Sequence, residues 1–350
     1  MKSKIDTEFK LDITHITSST DYDKVGFLFG AGASVEAGYP STQTLTKHVI
    51  EKMTSSEIRS IEKILAEDCI VFDWEKGNPD IEQLSDSIIK KHTKNPTIKL
   101  GKIVDKIAVE ITQKVASISP DLSNHISFLS KLKANTHGRH STIWIFTTNY
   151  DPLFELAATK VGINVRNGFS GCLTRYWDEM SLRRIEGEIT PNHCFETNRE
   201  LTIVLVKLHG SIYWNRCGDQ VFETYSPVNT SSQPAIILPR RQKLYETLNS
   251  PFNALMRYSS NIIGKSCKFI VSCGFSFRDE HILEHLIKPE LSTSRIRLFA
   301  FLGEHPSHID ANLLRLKNFN ILTPKQIILD GKSHDMPNDF WKFSEFVKLF

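Results

Sequence analysis

The chain has 350 residues and a formal net charge of +3, with 40% hydrophobic and 24% charged residues. That is the balance of an ordinary soluble globular chain, long enough for one large domain or two unequal ones. It excludes a strongly basic nucleic-acid wrapper, so direct nucleic-acid binding is not expected, and it excludes an acidic tail protein. Residues 1–6 carry no apolar secretory core, and the longest apolar runs (25–29, 203–206 and 269–271) fall far short of the roughly 18 residues a membrane span needs. A cytoplasmic protein without direct membrane binding is expected.

In chain order, strands are predicted at 25–29, 143–147, 202–208, 268–274, 296–302 and 326–329. Most are unbroken apolar stretches, the mark of strands buried on both faces of a parallel sheet. Ser34, Asp151, Asp279 and Ser307 each stand where a strand should hand over to a helix. This βαβ rhythm predicts an α/β fold with a doubly wound, mostly parallel, Rossmann-like sheet. Between 41 and 140 the rhythm breaks. Residues 55–67, 79–93, 97–116 and 121–134 space their apolar positions helically, as in Ile103, Ile107 and Ile111 with Val104 and Val115. The division predicted is a Rossmann-like domain over 1–40 and 141–350, with a helical insertion subdomain over 41–140. Segments 170–200 and 215–235 read as short strands or loops.

Four motifs fall at the carboxyl ends of predicted strands, where open α/β sheets place their ligand crevice. The first is Gly30-Ala31-Gly32-Ala33-Ser34, a strand running into Gly-x-Gly and a small helix-capping residue. Glycines there let backbone approach a phosphate, and the following helix offers unpaired N–H groups. Val35 occupies the third glycine position of the dehydrogenase fingerprint, so that motif is not matched. A tight structural turn would use the same residues. The others are Thr147-Thr148-Asn149-Tyr150-Asp151, Lys207-Leu208-His209-Gly210-Ser211 and Cys273-Gly274-Phe275-Ser276-Phe277-Arg278-Asp279.

Taken together these four motifs resemble the sirtuin-like NAD-binding family. GAGAS is similar to its phosphate loop, TTNYD to its T-Q-N-x-D segment, LHGS to its catalytic H-G, and GFS to its adenosine-side G-x-S loop. Two departures matter. The family's deacylases carry a zinc ribbon of two C-x-x-C pairs, whereas none of the six cysteines here pairs that way. Their G-I-P-D-F-R reads Gly38-Tyr39-Pro40-Ser41-Thr42-Gln43. The loss of protein-substrate apparatus resembles the bacterial antiphage branch that hydrolyses NAD, including the sirtuin-like subunit partnered with a HerA-type hexameric ATPase.

The resemblance implies NAD as substrate, no zinc, and cleavage of the nicotinamide–ribose bond to ADP-ribose and nicotinamide. It casts Asn149 and His209 as catalytic. Gly30, Ala31, Gly32 and Ser34 would carry the pyrophosphate, Thr148 would face the dinucleotide, Asp151 would take the carboxamide, and Gly274 and Ser276 the adenosine ribose. A homo-oligomer, slow alone and activated by an ATPase partner, is expected. Alternatives are a sirtuin-type deacylase or ADP-ribosyltransferase and a non-catalytic NAD or ADP-ribose-binding scaffold. Two weaker metal patterns are Cys172, His193, Cys194 and Cys217, and the H-x-x-E-H string of His281, Glu284 and His285.

Overall fold

The computed structural model describes residues 22–224, 233–239 and 249–350. The leader reading of residues 1–6 and part of the 215–235 segment lie outside the described residues. In chain order the strands are β1 (Val25–Phe29), β2 (Ser141–Thr147), β3 (Asn164–Arg166), β4 (Phe169–Ser170), β5 (Thr174–Trp177), β6 (Gly187–Ile189), β7 (Phe195–Thr197) and β8 (Leu201–Lys207). There follow β9 (Gly210–Cys217), β10 (Gln220–Thr224), β11 (Gln233–Ile236), β12 (Phe269–Cys273), β13 (Arg297–Phe301), β14 (Phe319–Leu322), β15 (Gln326–Leu329) and β16 (Lys332–Asp335).

The main sheet has nine strands in the order β16-β15-β14-β13-β12-β1-β2-β8-β3. Every pairing from β3 across to β14 is parallel, and only β15 runs against the others, pairing antiparallel with β14 and with the edge strand β16. β1 and β8 are buried at every position, which is why their sequences are apolar without alternation. The chain winds outward from β1 through β2 to the edge strand β3, returns to insert β8 between β2 and β3, then crosses to β12 on the other side of β1 and winds outward again. The fold is therefore the doubly wound, mostly parallel Rossmann-like sheet the sequence predicts.

Helices cover both faces. Phe252–Ile262 and the turns from Glu280 to Ser292 pack on one face around Leu255, Ile287 and Val204. Ser123–Asn135, Leu153–Val161 and Phe343–Val347 pack on the other around Phe27, Phe29 and Phe128. Four further helices, Thr42–Lys52, Ser55–Glu67, Ile81–Lys94 and Ile98–Ala116, enclose a third core. Val49, Ile61, Ile88 and Ile107 fill it, and Ile212 and Leu238 from the body join them. Thr54 and Glu57 begin the second of these helices with a reciprocal capping box. Helix Ser123–Asn135 belongs by packing to the sheet, not to that third core.

A five-stranded sheet, β11-β9-β10-β5-β4, stands beside the main one. It fills much of what the sequence shows as polar loop, and β6 and β7 form a separate hairpin. Two helix-start expectations are corrected. Ser34 ends a single 3-10 turn, Ala31–Ser34, and the next helix begins at Thr42 with Ser41 as its cap. Ser307 lies in a turn, and Asp310 caps the short helix after it. Asp279 does cap a helix, and Asp151 Oδ1 accepts from Leu153 N at 3.2 Å. Among the described residues no helix is long and apolar enough to cross a membrane.

Candidate functional site

Register brings the four motifs to one level. Phe29 pairs with Cys273 on one side and Thr147 on the other, and Thr147 pairs with Lys207. The loops that follow β1, β2, β8 and β12 therefore leave the sheet side by side. Between β1 and β12 the winding direction reverses, the place where such sheets open a crevice.

A cleft of about 380 Å³ lies there, lined by Gly30, Ala31, Gly32, Ser34, Thr148, Asn149, Asp151, His209, Gly274 and Ser276. All ten residues singled out in the sequence thus border one space. A second cavity of about 440 Å³ shares Gly32, Gly274, Phe275 and Ser276 with the first and continues to Glu304, His308 and Trp341. Between the two is a waist of bare backbone. Gly30 N donates to Cys273 O at 3.2 Å and Gly32 N to Gly274 O at 3.0 Å.

The glycines are required by that contact. A Cβ on Gly32 would lie 2.6 Å from Gly274 Cα, and one on Gly274, whose φ is +67°, would lie 2.3 Å from Ala33 N. The amides of Gly30 and Gly32 are used within the protein. Their role in the fold is to let two loops touch main chain to main chain.

The polar end of the cleft is built from side chains. Asn149 Nδ2 donates to Gly30 O at 2.9 Å and to Ser34 Oγ at 2.8 Å. Ser34 Oγ donates onward to Asp151 Oδ2 at 2.7 Å. Behind Asp151, the fully buried Lys207 donates from Nζ to the Asp151 carbonyl at 2.5 Å and to Glu155 Oε1 at 2.7 Å. Burial pushes the Asp151 carboxyl above its ordinary range, against the pull of the Lys207 charge. Burial also raises the phenol of Tyr39, which lines the cleft, with the Asp151 charge adding to it.

His209 is buried, with Nε2 2.7 Å from Asp279 Oδ2. The other Asp279 oxygen accepts from Ile282 N at 3.3 Å. One carboxylate thus caps a helix and orients the imidazole. Sequence reasoning finds only the capping role, because 70 residues separate the partners and no spacing rule links them. Lys207 is missed for a similar reason. It ends a strand as an apparent surface charge, yet the loop after β2 folds over it.

The helical insertion forms the outer wall. The first turn of helix Thr42–Lys52, the start of Ile81–Lys94 at Asp80, and Val115 all border the cleft. Tyr150 ties the loop after β2 to the segment after β11 through its hydroxyl, which donates to Ile237 O at 2.6 Å. Among the described residues no three His, Cys, Asp or Glu side chains gather as a metal site. His281 and His285 meet edge-on with ring centres 4.8 Å apart, and Glu284 pairs with Lys288.

No curated protein matches the sequence significantly. A family model described as the SIR2-like domain matches residues 144–322, from β2 to β14, which takes in three of the four motifs and leaves the Gly30–Ser34 loop outside. That match spans just over half of the chain, and it coincides with the strands that carry Asn149, His209 and Gly274. The chain belongs to the SIR2-like domain family, which uses NAD.

Proposed function

We propose that this protein is an NAD glycohydrolase that releases nicotinamide and leaves ADP-ribose. The observation that carries the reading is the convergence of Asn149, Asp151 and the His209–Asp279 pair on one cleft. That cleft opens across a glycine waist into a second cavity, and the helical insertion walls it on the outside. Two joined cavities of this size suit an extended dinucleotide better than a compact ligand. The helical insertion borders this cleft, and the chain has no paired C-x-x-C cysteines of the kind the family's deacylases carry, which favours water as acceptor.

Nicotinamide leaves NAD as a neutral amide from a cationic ring, so no general acid is needed for departure. What this chain must supply is position and a proton acceptor. Both Nδ2 hydrogens of Asn149 are engaged by Gly30 and Ser34, so it offers a ligand its Oδ1, an acceptor for a water or a ribose hydroxyl. With its Nε2 held against Asp279, the His209 imidazole is fixed in one orientation at the cleft, and it is the group to receive the proton. Asp151 holds Ser34 and the helix start at Leu153, keeping the Asn149 loop in one conformation.

The wider role proposed, depletion of NAD in antiphage defence by a homo-oligomer that a HerA-type ATPase activates, rests on the motif resemblance. An activating partner must bind the competent arrangement preferentially. The deciding experiment measures nicotinamide release from NAD by the purified chain, alone and with the product of the neighbouring gene. Release that His209→Ala abolishes is expected; no release under either condition would remove the hydrolase reading.

A further inference from the structure

Away from the strand ends, a cavity of about 520 Å³ opens on the face of the main sheet beside helix Phe252–Ile262. Register sets Trp144, Val204 and Arg166 side by side on β2, β8 and β3. Arg166 is the last residue of its strand, and its side chain is only 9% exposed.

Two nitrogens of that guanidinium, Nε and Nη2, are buried and have no hydrogen-bond partner among the described residues. The facing carboxylate, Glu186, stands with Oε1 3.6 Å from Nε, beyond hydrogen-bond length. Its other oxygen accepts from Asn164 Nδ2. Burial draws the Arg166 pKa down, with Glu186 opposing, so the charge is stripped of water and poorly compensated. A second guanidinium, the exposed Arg183, lines the same cavity, and among the described residues that line it these two carry the charge. The apolar wall is fixed: Tyr258 accepts at its hydroxyl from Trp144 Nε1 at 3.0 Å and donates to Leu182 O at 3.4 Å.

We propose that this cavity binds a small organic phosphate, its oxygens on Arg166 and Arg183 and its carbon skeleton against Trp144 and Leu182. Two guanidinium groups match a dianion, and planar N–H forks pair with phosphate oxygens in parallel. Nothing in the NAD cleft takes part, so the site is separate from that reading.

The test is calorimetric titration of the full chain with phenyl phosphate, with and without ADP-ribose. Expected are a Kd of about 1 mM or tighter, unchanged by ADP-ribose, loss of binding in Arg166→Met, and weakening by about tenfold in Arg183→Ala. Arg183 is exposed, so its variant keeps the test valid even if Arg166→Met does not fold. The proposal is overturned by no heat up to about 10 mM ligand, by displacement with ADP-ribose, or by an Arg183→Ala affinity equal to wild type.

Discussion

The two ends of the cleft are held by opposite means. At the waist, Gly30 and Gly32 meet Gly274 through bare main chain, and the contact exists because no side chain intervenes. At the polar end, Asn149, Ser34 and Asp151 form a chain of buried side-chain hydrogen bonds, Lys207 holds the Asp151 carbonyl from behind, and His209 and Asp279 lie alongside. The waist therefore cannot accept added volume, and the polar end cannot accept a lost partner. A dinucleotide site needs both, since the middle of the ligand must lie close to backbone while its reacting end must meet oriented polar atoms.

The widest gap between the ends should appear in catalysis. His209→Ala should lower nicotinamide release by roughly a hundred- to ten-thousand-fold, the size of lost general-base help, with an unchanged circular dichroism spectrum. Near-wild-type turnover would show that the polar end does no chemistry. Lys207→Met should next cost about 3–5 kcal/mol in chemical denaturation, because it leaves Glu155 and the Asp151 carbonyl without their buried donor. A loss under about 1 kcal/mol would mean that water replaces the ammonium.

At the waist, Gly274→Ala should cost roughly 2–3 kcal/mol through its positive φ and the overlap with Ala33 N. If its melting temperature matched wild type, the two loops would be free to part.

His125 gives a contrasting buried polar group, set between Phe154 and Phe343, whose two nitrogens have no hydrogen-bond partner among the described residues. Burial lowers its pKa from 6.5 to about 3. The unfolded chain therefore binds the extra proton between those values, and stability falls as pH drops from 6.5 towards 3. His125→Phe should remove up to about 2 kcal/mol of that loss at pH 5, read as a flatter dependence of unfolding free energy on pH. An unaltered slope would place the acid sensitivity elsewhere. The smallest effect expected is in the second cavity. Trp341→Ala should raise the KM for NAD about tenfold if the indole stacks on adenine, while cleavage of nicotinamide mononucleotide stays unchanged. Equal losses on both substrates would refute stacking.

Much of the main sheet is legible because strands buried on both faces leave apolar runs, as in Val25–Phe29 and Leu201–Lys207. β14 escapes notice: it has four residues, and the buried Asn320 interrupts its apolar pattern. β9 escapes because it begins directly after His209 and mixes Ser211, Asn215 and Arg216 with its apolar residues. The site's membership was readable from strand ends, but its internal wiring was not. Nothing local in the sequence couples Asp279 to His209, Lys207 to Asp151, or Ser34 to Asn149, since each pairing is made by the sheet's register.

One contact links the earliest and latest parts of the described chain. Ser344 donates from its N and its Oγ to the two carboxylate oxygens of Glu36, both at 2.7 Å, and Phe350 packs edge-on against Phe27 and Phe128. During synthesis, β1 and its loop emerge long before these residues and before β12, which must pair with β1. The loop after β1 therefore stays incomplete until residues 343–350 clear the exit tunnel, and Phe27 and Phe29 lack these late partners until then. A stall late in translation would yield a nascent chain that cannot yet finish the cleft at the β1 strand end.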